Sequence, residues 1–145
     1  MRIGKILIGV VVILLLLSGC KTGGNVERGE REEIRKELNS LKEGMRSKDY
    51  SRVFSHFSRD YLKDFQETIA RYEREKLPEN VLDIDFTINQ VLKKEDMYSV
   101  KLKWRKVYQD KKGKVKKAKG EAEVLLKKVN GKYRILDIKG DNFLF

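Results

Sequence analysis

The feature that most constrains this chain is a change of hydrophobic period at its single proline, Pro78. Before it, apolar residues recur every three or four positions, as on a helix with one buried face. After it they alternate, as on a strand with one buried face. One-sided helices followed by one-sided strands can bury both apolar surfaces only if the helices lie across the sheet. The order therefore predicts an α+β fold around a single core, and 145 residues suit one such domain.

Three helices are predicted. From Glu27 to Arg46 the apolar residues Ile34, Leu38, Leu41 and Met45 fall within roughly 60° of arc at 100° per residue. Glu27/Arg31 and Glu32/Lys36 stand at the i,i+4 spacing that supports an exposed face. Ser47-Lys48-Asp49 breaks the pattern, and Asp49 is placed to cap a short helix with Tyr50, Val53, Phe54 and Phe57 as its apolar positions. Ser58 is placed to cap a third, whose Tyr61, Leu62, Phe65, Ile69 and Tyr72 form a stripe that ends before Pro78.

Four strands follow. Leu82, Ile84, Phe86 and Ile88 alternate with polar residues, as do Tyr98, Val100, Leu102 and Trp104, and then Ala118, Gly120, Ala122, Val124 and Leu126. Turn residues lie at 93–96 and 111–114, and Asn130-Gly131 signals a hairpin before a last strand over Tyr133 to Lys139. Short connections predict an antiparallel meander. Trp104 and Val107 cannot both face inward in a regular strand, so a bulge near Arg105 and Lys106 is expected. With it, Trp104 would lie opposite Ala122, Arg105 opposite Glu121 and Lys103 opposite Glu123.

Composition narrows the chemistry. One cysteine cannot close an internal disulfide, and one histidine cannot build a multi-histidine metal site. The chain starts with an address. Arg2 and Lys5 precede an apolar run, Ile6 to Leu17, that ends at Ser18-Gly19-Cys20. This is the build of an export signal, and the run falls short of the about 20 residues a permanent span needs. Leu17-Ser18-Gly19-Cys20 resembles the lipobox of bacterial lipoproteins. The resemblance implies cleavage after residue 19, a thioether-linked diacylglycerol on Cys20, and acylation with a fatty acid such as palmitate. Two or more acyl chains hold a protein stably on a membrane, whereas one does so only marginally. An ordinary secretory signal with an incidental cysteine, or a short uncleaved anchor, are the other readings. Lys21 follows the cysteine, so the aspartate that retains many lipoproteins in an inner membrane is absent and either the cell membrane or an outer membrane remains open.

The organisation expected is a signal peptide over residues 1–19, a lipidated tether over 20–26 and a domain over 27–145. The tether, with Gly23-Gly24, reaches roughly 20 Å when extended. Loss of Arg2 and Lys5 with the signal leaves 31 of the 33 basic residues against 22 acidic ones, so the domain itself is strongly basic.

Three stretches in this order resemble the nuclear transport factor 2-like, or cystatin-like, superfamily: Leu41-Lys42-Glu43-Gly44-Met45-Arg46-Ser47-Lys48-Asp49-Tyr50, Phe54-Ser55-His56-Phe57-Ser58-Arg59-Asp60-Tyr61, and Val129-Asn130-Gly131-Lys132-Tyr133-Arg134-Ile135. The resemblance covers about residues 30 to 140. It implies three helices on a curved four-stranded antiparallel sheet, and the chain is most similar to small lipoproteins of unknown function with this fold.

That fold often has a pocket at its open end. Ala118, Gly120 and Ala122 would leave room opposite Trp104 for an apolar ligand bordered by Tyr61, Phe65, Phe86, Tyr98, Trp104 and Ala122. Equally, small residues there would let a helix pack closely. Relatives of the ketosteroid isomerase type use an Asp base with a Tyr and a protonated acid, but Asp83 and Asp85 alternate toward water and no catalytic residue carries over. Asp60 suits a helix N-terminus, His56 falls at the boundary of its helix's stripe, and the pair Asp83 and Asp85 lacks a cation-binding loop. No catalytic residue, metal ligand or cofactor is assigned.

The remaining feature is a lysine-rich hairpin, with Lys101, Lys103, Arg105, Lys117 and Lys119 on its outer face. In an exported, lipidated protein, anionic lipid or an envelope polymer is the expected polyanion rather than nucleic acid. The alternative is a solubilising surface that protects sheet edges. The expected function is thus a membrane-anchored, extracytoplasmic, non-catalytic binding domain of the cell envelope, with a protein partner also open. The alternative is a small pocket enzyme or sensor of an apolar molecule. Phe143-Leu144-Phe145 is expected to seal one end of the core.

Overall fold

The computed structural model describes residues 26–74 and 80–144. Helix α1 spans Arg28–Arg46 and buries Ile34, Leu38, Leu41 and Met45, the expected stripe. It ends at Ser47, and Lys48 takes a positive φ of 57° as the chain turns. Asp49 caps α2, Tyr50–Ser55, by accepting from the Arg52 backbone N–H at 3.1 Å. Ser58 Oγ accepts from the Tyr61 N–H at 3.2 Å and starts α3, Arg59–Arg74. The side chains of Phe65, Ile69 and Tyr72, expected on the buried stripe of α3, lie outside the described residues.

Strands β1 (Asn80–Lys94), β2 (Met97–Gln109), β3 (Val115–Val129) and β4 (Lys132–Gly140) form one antiparallel sheet in chain order. Two-residue turns join β1 to β2 and β3 to β4. In the second, Asn130 and Gly131 have φ of 50° and 77°, the left-handed pair that an Asn-Gly hairpin provides. Beside the last strand, Phe57 forms a parallel bridge with Ile135. Ser58 N–H donates to Ile135 O, and Ile135 N–H to His56 O, both at 2.8 Å.

The core lies between α1, α2 and the inner face of the sheet, where Ile84, Val100, Leu102, Val124, Leu126 and Ile135 are almost fully enclosed. Two expectations about strand phase are corrected here. In β1, Leu82 does not face inward. A bulge between Val81 and Asp83 leaves it unpaired and 47% exposed, and Val81 packs on the core instead. A second irregularity between Ile88 and Gln90 brings Val91 onto the same face as Ile88.

In β2 the expected bulge at Arg105 and Lys106 is absent, since residues 97–109 pair one to one with β3. Lys106 simply continues the inward series and is 2% exposed. The expected register is therefore off by two residues. Trp104 faces Gly120, Leu102 faces Ala122, Lys103 faces Glu121, Lys101 faces Glu123, and Arg105 faces Lys119. The cause is steric. A Cβ on Gly120 would come within 2.8 Å of Trp104 Cζ2 and 2.5 Å of Asp141 Cβ, so the indole needs a glycine opposite it.

The end of the chain is folded back by Gly140, whose φ of 84° sends Asp141 against the middle of β3. Asp141 N–H donates to Glu121 O at 2.9 Å, and its Oδ2 accepts from Glu121 N–H at 3.0 Å. Phe143 is thereby wholly enclosed and packs against Phe86 with ring centroids 4.8 Å apart. Leu144 packs on the core as a half-buried residue, and Phe145 lies outside the described residues.

Candidate functional site

Of the six residues expected to border a pocket, five have described side chains, and these lie at different places on the sheet and its helices. Phe86 and Trp104 are cross-strand neighbours, and Phe143 fills the volume beside Phe86. Trp104 Nε1 donates to Asp141 O at 2.8 Å, which satisfies the one polar group of the indole. Ala122 is buried opposite Leu102. Tyr98 belongs to the other end of the sheet, edge-on to Tyr133 at 5.2 Å. Tyr61 stacks on Phe57 at 4.9 Å, and partial burial pushes its phenol above the usual range. The Phe65 side chain and Cys20 lie outside the described residues.

Lys106 is the interior residue that the alternation alone did not reveal. Its position is flanked by Ile84 and Ala118. Its Nζ lies 5.8 Å from the Trp104 ring centroid and 5.3 Å from that of Tyr108, the residues two before and two after it on the same face. An aliphatic stem in the core with its charge over two aromatic faces lets a lysine occupy an inward position.

The outer face carries the charge. Lys101, Lys103, Arg105, Lys117 and Lys119 are all exposed there, as alternation predicts. Asp83 and Asp85 also face outward, but they are engaged by α1. Arg46 Nη2 reaches Asp83 Oδ1 at 2.6 Å and Asp85 Oδ1 at 3.6 Å, and Lys42 Nζ reaches Asp85 Oδ1 at 3.6 Å. Burial works most strongly against the Arg46 charge, but the hydrogen bonds and charges of Asp83 and Glu43 together outweigh it, and the guanidinium holds its proton more firmly than usual. Arg105 touches Asp85 at 3.8 Å from a largely exposed position, and Lys103 touches Glu121 at 3.6 Å. Among the described residues no acid lies within ion-pair distance of Lys101, Lys117 or Lys119. A shallow open groove of about 420 Å³ runs over this area, between Asp83 and Asp85 on β1, Arg105 and Val107 on β2, and Lys117 and Lys119 on β3.

The turn between β2 and β3 is built on Asp110. Its Oδ1 accepts from the N–H groups of Lys112 and Lys114, both at 2.9 Å, and its Oδ2 lies 3.3 Å from Lys116 Nζ. The Lys114 N–H above all, then that of Lys112 and the Lys116 charge, lowers the Asp110 carboxyl below its ordinary value. The side chain thus fixes the loop and leaves the lysines on its outside.

At the opposite end three lysines are paired with acids. Lys93 Nζ meets Glu30 at 3.0 Å, Lys127 meets Asp96 at 3.4 Å, and Glu33 Oε2 accepts from Tyr133 OH at 2.9 Å with Lys128 at 3.4 Å. Burial, and then the Glu33 hydrogen bond, raise the Tyr133 phenol far above its usual range. The sequence placed His56 at the boundary of its helix's apolar stripe, but it is buried, with Nδ1 2.6 Å from Glu37 Oε1 and Arg134 Nη1 3.8 Å from the same oxygen. Its Nε2 has no hydrogen-bond partner among the described residues. The His56 carbonyl accepts from Ile135, so this residue ties three elements, α1, the α2–α3 junction and β4.

No family profile and no curated protein matches the chain in sequence. Solved structures do match in shape. A nuclear transport factor 2-like protein of unknown function from Shewanella oneidensis superposes with a TM-score of 0.62 at 15% identity, over 78% of this chain and 99% of its own. A nuclear transport factor 2-like superfamily protein from Salmonella enterica gives 0.58 at 9%, over 77% and 89%. A protein of unknown function with a cystatin-like fold from Nostoc punctiforme gives 0.54 at 12%, over 82% and 96%. Identities this low speak to architecture alone, and the architecture is that of the nuclear transport factor 2-like, cystatin-like fold.

Proposed function

We propose that this protein is an extracytoplasmic lipoprotein, held on a membrane through lipid on Cys20, whose domain binds a partner rather than catalysing a reaction. One observation carries the reading: the only cysteine of the chain closes Leu17-Ser18-Gly19-Cys20, directly after twelve apolar residues. One feature of the domain agrees with it. Val26, six residues after Cys20, is already buried in the core, so the tether is short and the folded body stays close to its attachment. A binding role is supported by a described interior filled with packed rings and by a sheet surface whose cations outnumber their acids.

Metabolic labelling with a palmitate analogue tests the anchor. Label is expected on the wild-type chain in the membrane fraction and not on Cys20→Ser. A wild-type protein that takes up no label overturns the reading.

A further inference from the structure

The two ends of the sheet differ in charge, and the fold fixes which end faces away from the tether. The N-terminal turn of α1 lies at the end of the sheet that holds the 95–96 and 130–131 turns, because Glu30 pairs with Lys93 and Glu33 with Lys128 and Tyr133. The C-terminal turn of α1 lies near the start of β1, through Arg46 and Asp83. Asn80 pairs with Gln109 and Gln109 with Val115, so the 110–114 turn caps the far end. Some thirteen strand residues separate the two ends, roughly 40 Å at 3.3 Å per residue.

That far end carries the surplus of positive charge. Residues 110–117 contain five lysines and one aspartate. Asp110 is already engaged by two backbone N–H groups and Lys116, and Asp83 and Asp85 by α1. Among the described residues Lys112, Lys114, Lys117 and Lys119 have no acid within ion-pair distance. Lys117 and Lys119 lie on one face of β3, about 7 Å apart, and continue the row begun by the turn. A charged, linear ligand could meet these cations in succession. The end nearest the tether, in contrast, sets Glu30, Asp96 and Glu33 against Lys93, Lys127 and Lys128, and among the described residues only Lys94 and Lys132 of its lysines have no acid within ion-pair distance.

We infer that the β2–β3 hairpin end is a docking surface for a linear polyanion with phosphate in its backbone, which the domain holds away from the bilayer to which its other end is tethered. The separation from the bilayer rests on the lipid-anchor reading, whereas the docking itself does not. The bilayer's own headgroups are the less fitting source. A tether of roughly 20 Å enters at the end where acids offset most of the lysines, and a domain built to lie against anionic lipid would concentrate its unmatched cations there.

The test uses the full-length chain in zwitterionic nanodiscs with fluorescent long-chain inorganic polyphosphate as the probe. Binding should weaken with salt, with log K falling against log salt by about 0.7 per cation engaged, as for flexible single-stranded polyanions. The exposed triple variant K112Q/K114Q/K117Q should lose at least tenfold in affinity, and its salt slope should shrink by about two. The control K94Q/K132Q, with exposed lysines at the tether end, should bind as wild type. An unchanged triple variant, or an equal loss in the control, overturns the assignment. Competition by phosphatidylglycerol vesicles as effective as that by unlabelled polyphosphate also overturns it in favour of the bilayer, which would then seat the half-exposed Val115 among the lysines. Because polyphosphate binding does not need the lipid, a failed palmitate labelling and a failed docking are separate results.

Discussion

The two ends of this sheet are held together by different physics. At the end where the 95–96 and 130–131 turns meet α1, polar groups of opposite sign face each other, and Tyr133 joins them by giving its ring to Tyr98 and its hydroxyl to Glu33. At the other end an apolar plug does the work: Phe143 enters from the folded-back terminus, Phe86 and Trp104 close round it, and outside it Lys112, Lys114, Lys117 and Lys119 have no acid within ion-pair distance among the described residues. The difference teaches that the interior of the second end does not depend on the charges above it. That end can carry a strongly one-signed surface because its stability comes from enclosed area, which scarcely responds to salt or to the loss of a lysine.

The contrast breaks hardest at the plug. Phe143→Ala removes a fully enclosed ring and should cost about 3–5 kcal/mol, read as a lower midpoint in urea unfolding. A cost below about 1 kcal/mol would mean that the terminus is only loosely seated. Gly120→Ala should cost about 1–3 kcal/mol by overpacking against Trp104 and Asp141, and the tryptophan fluorescence should shift as the indole yields. An unchanged midpoint and spectrum would show that the close approach at Gly120 does not set the register. At the tether end, Tyr133→Phe keeps the ring and deletes one hydrogen bond, so about 1 kcal/mol is expected. A larger loss would mean that the polar cluster carries that end as strongly as the plug carries the other.

Asp110 gives the smallest and most local effect. Its carboxyl is lowered in the folded chain, so the stability it adds is present above the ordinary aspartate range and is lost as pH falls through the depressed value. Amide exchange at Lys112 and Lys114 should therefore quicken, relative to its intrinsic rate, on acidification below the ordinary value. Asp110→Asn should flatten that dependence without moving the global unfolding midpoint.

Much of this was legible in advance. Asp49 and Ser58 start their helices because short polar side chains can satisfy the first free N–H groups. The four strands and their order follow from alternation and short turns. Strand phase was less legible, because phase breaks arise from contacts between strands. Leu82 looks as apolar as Val81, and only pairing with β2 decides which of them is squeezed out. Lys106 reads as a polar interruption, yet its stem passes as an interior residue once Trp104 and Tyr108 supply faces for the ammonium. The outward placement of Lys117 and Lys119 was visible in the pattern. Their lack of matched acids was not, since it depends on Lys42 and Arg46 of a distant helix reaching Asp83 and Asp85.

The bridge from Phe57 to Ile135 also bears on self-association. Ile135 gives both its rim-facing amide and its carbonyl to the helical layer, so a foreign strand cannot run along β4 without tearing those bonds apart. Among the described residues the rim of β1 carries no such bridge, so strand addition that zips the molecule to a twin is favoured there over growth from both rims.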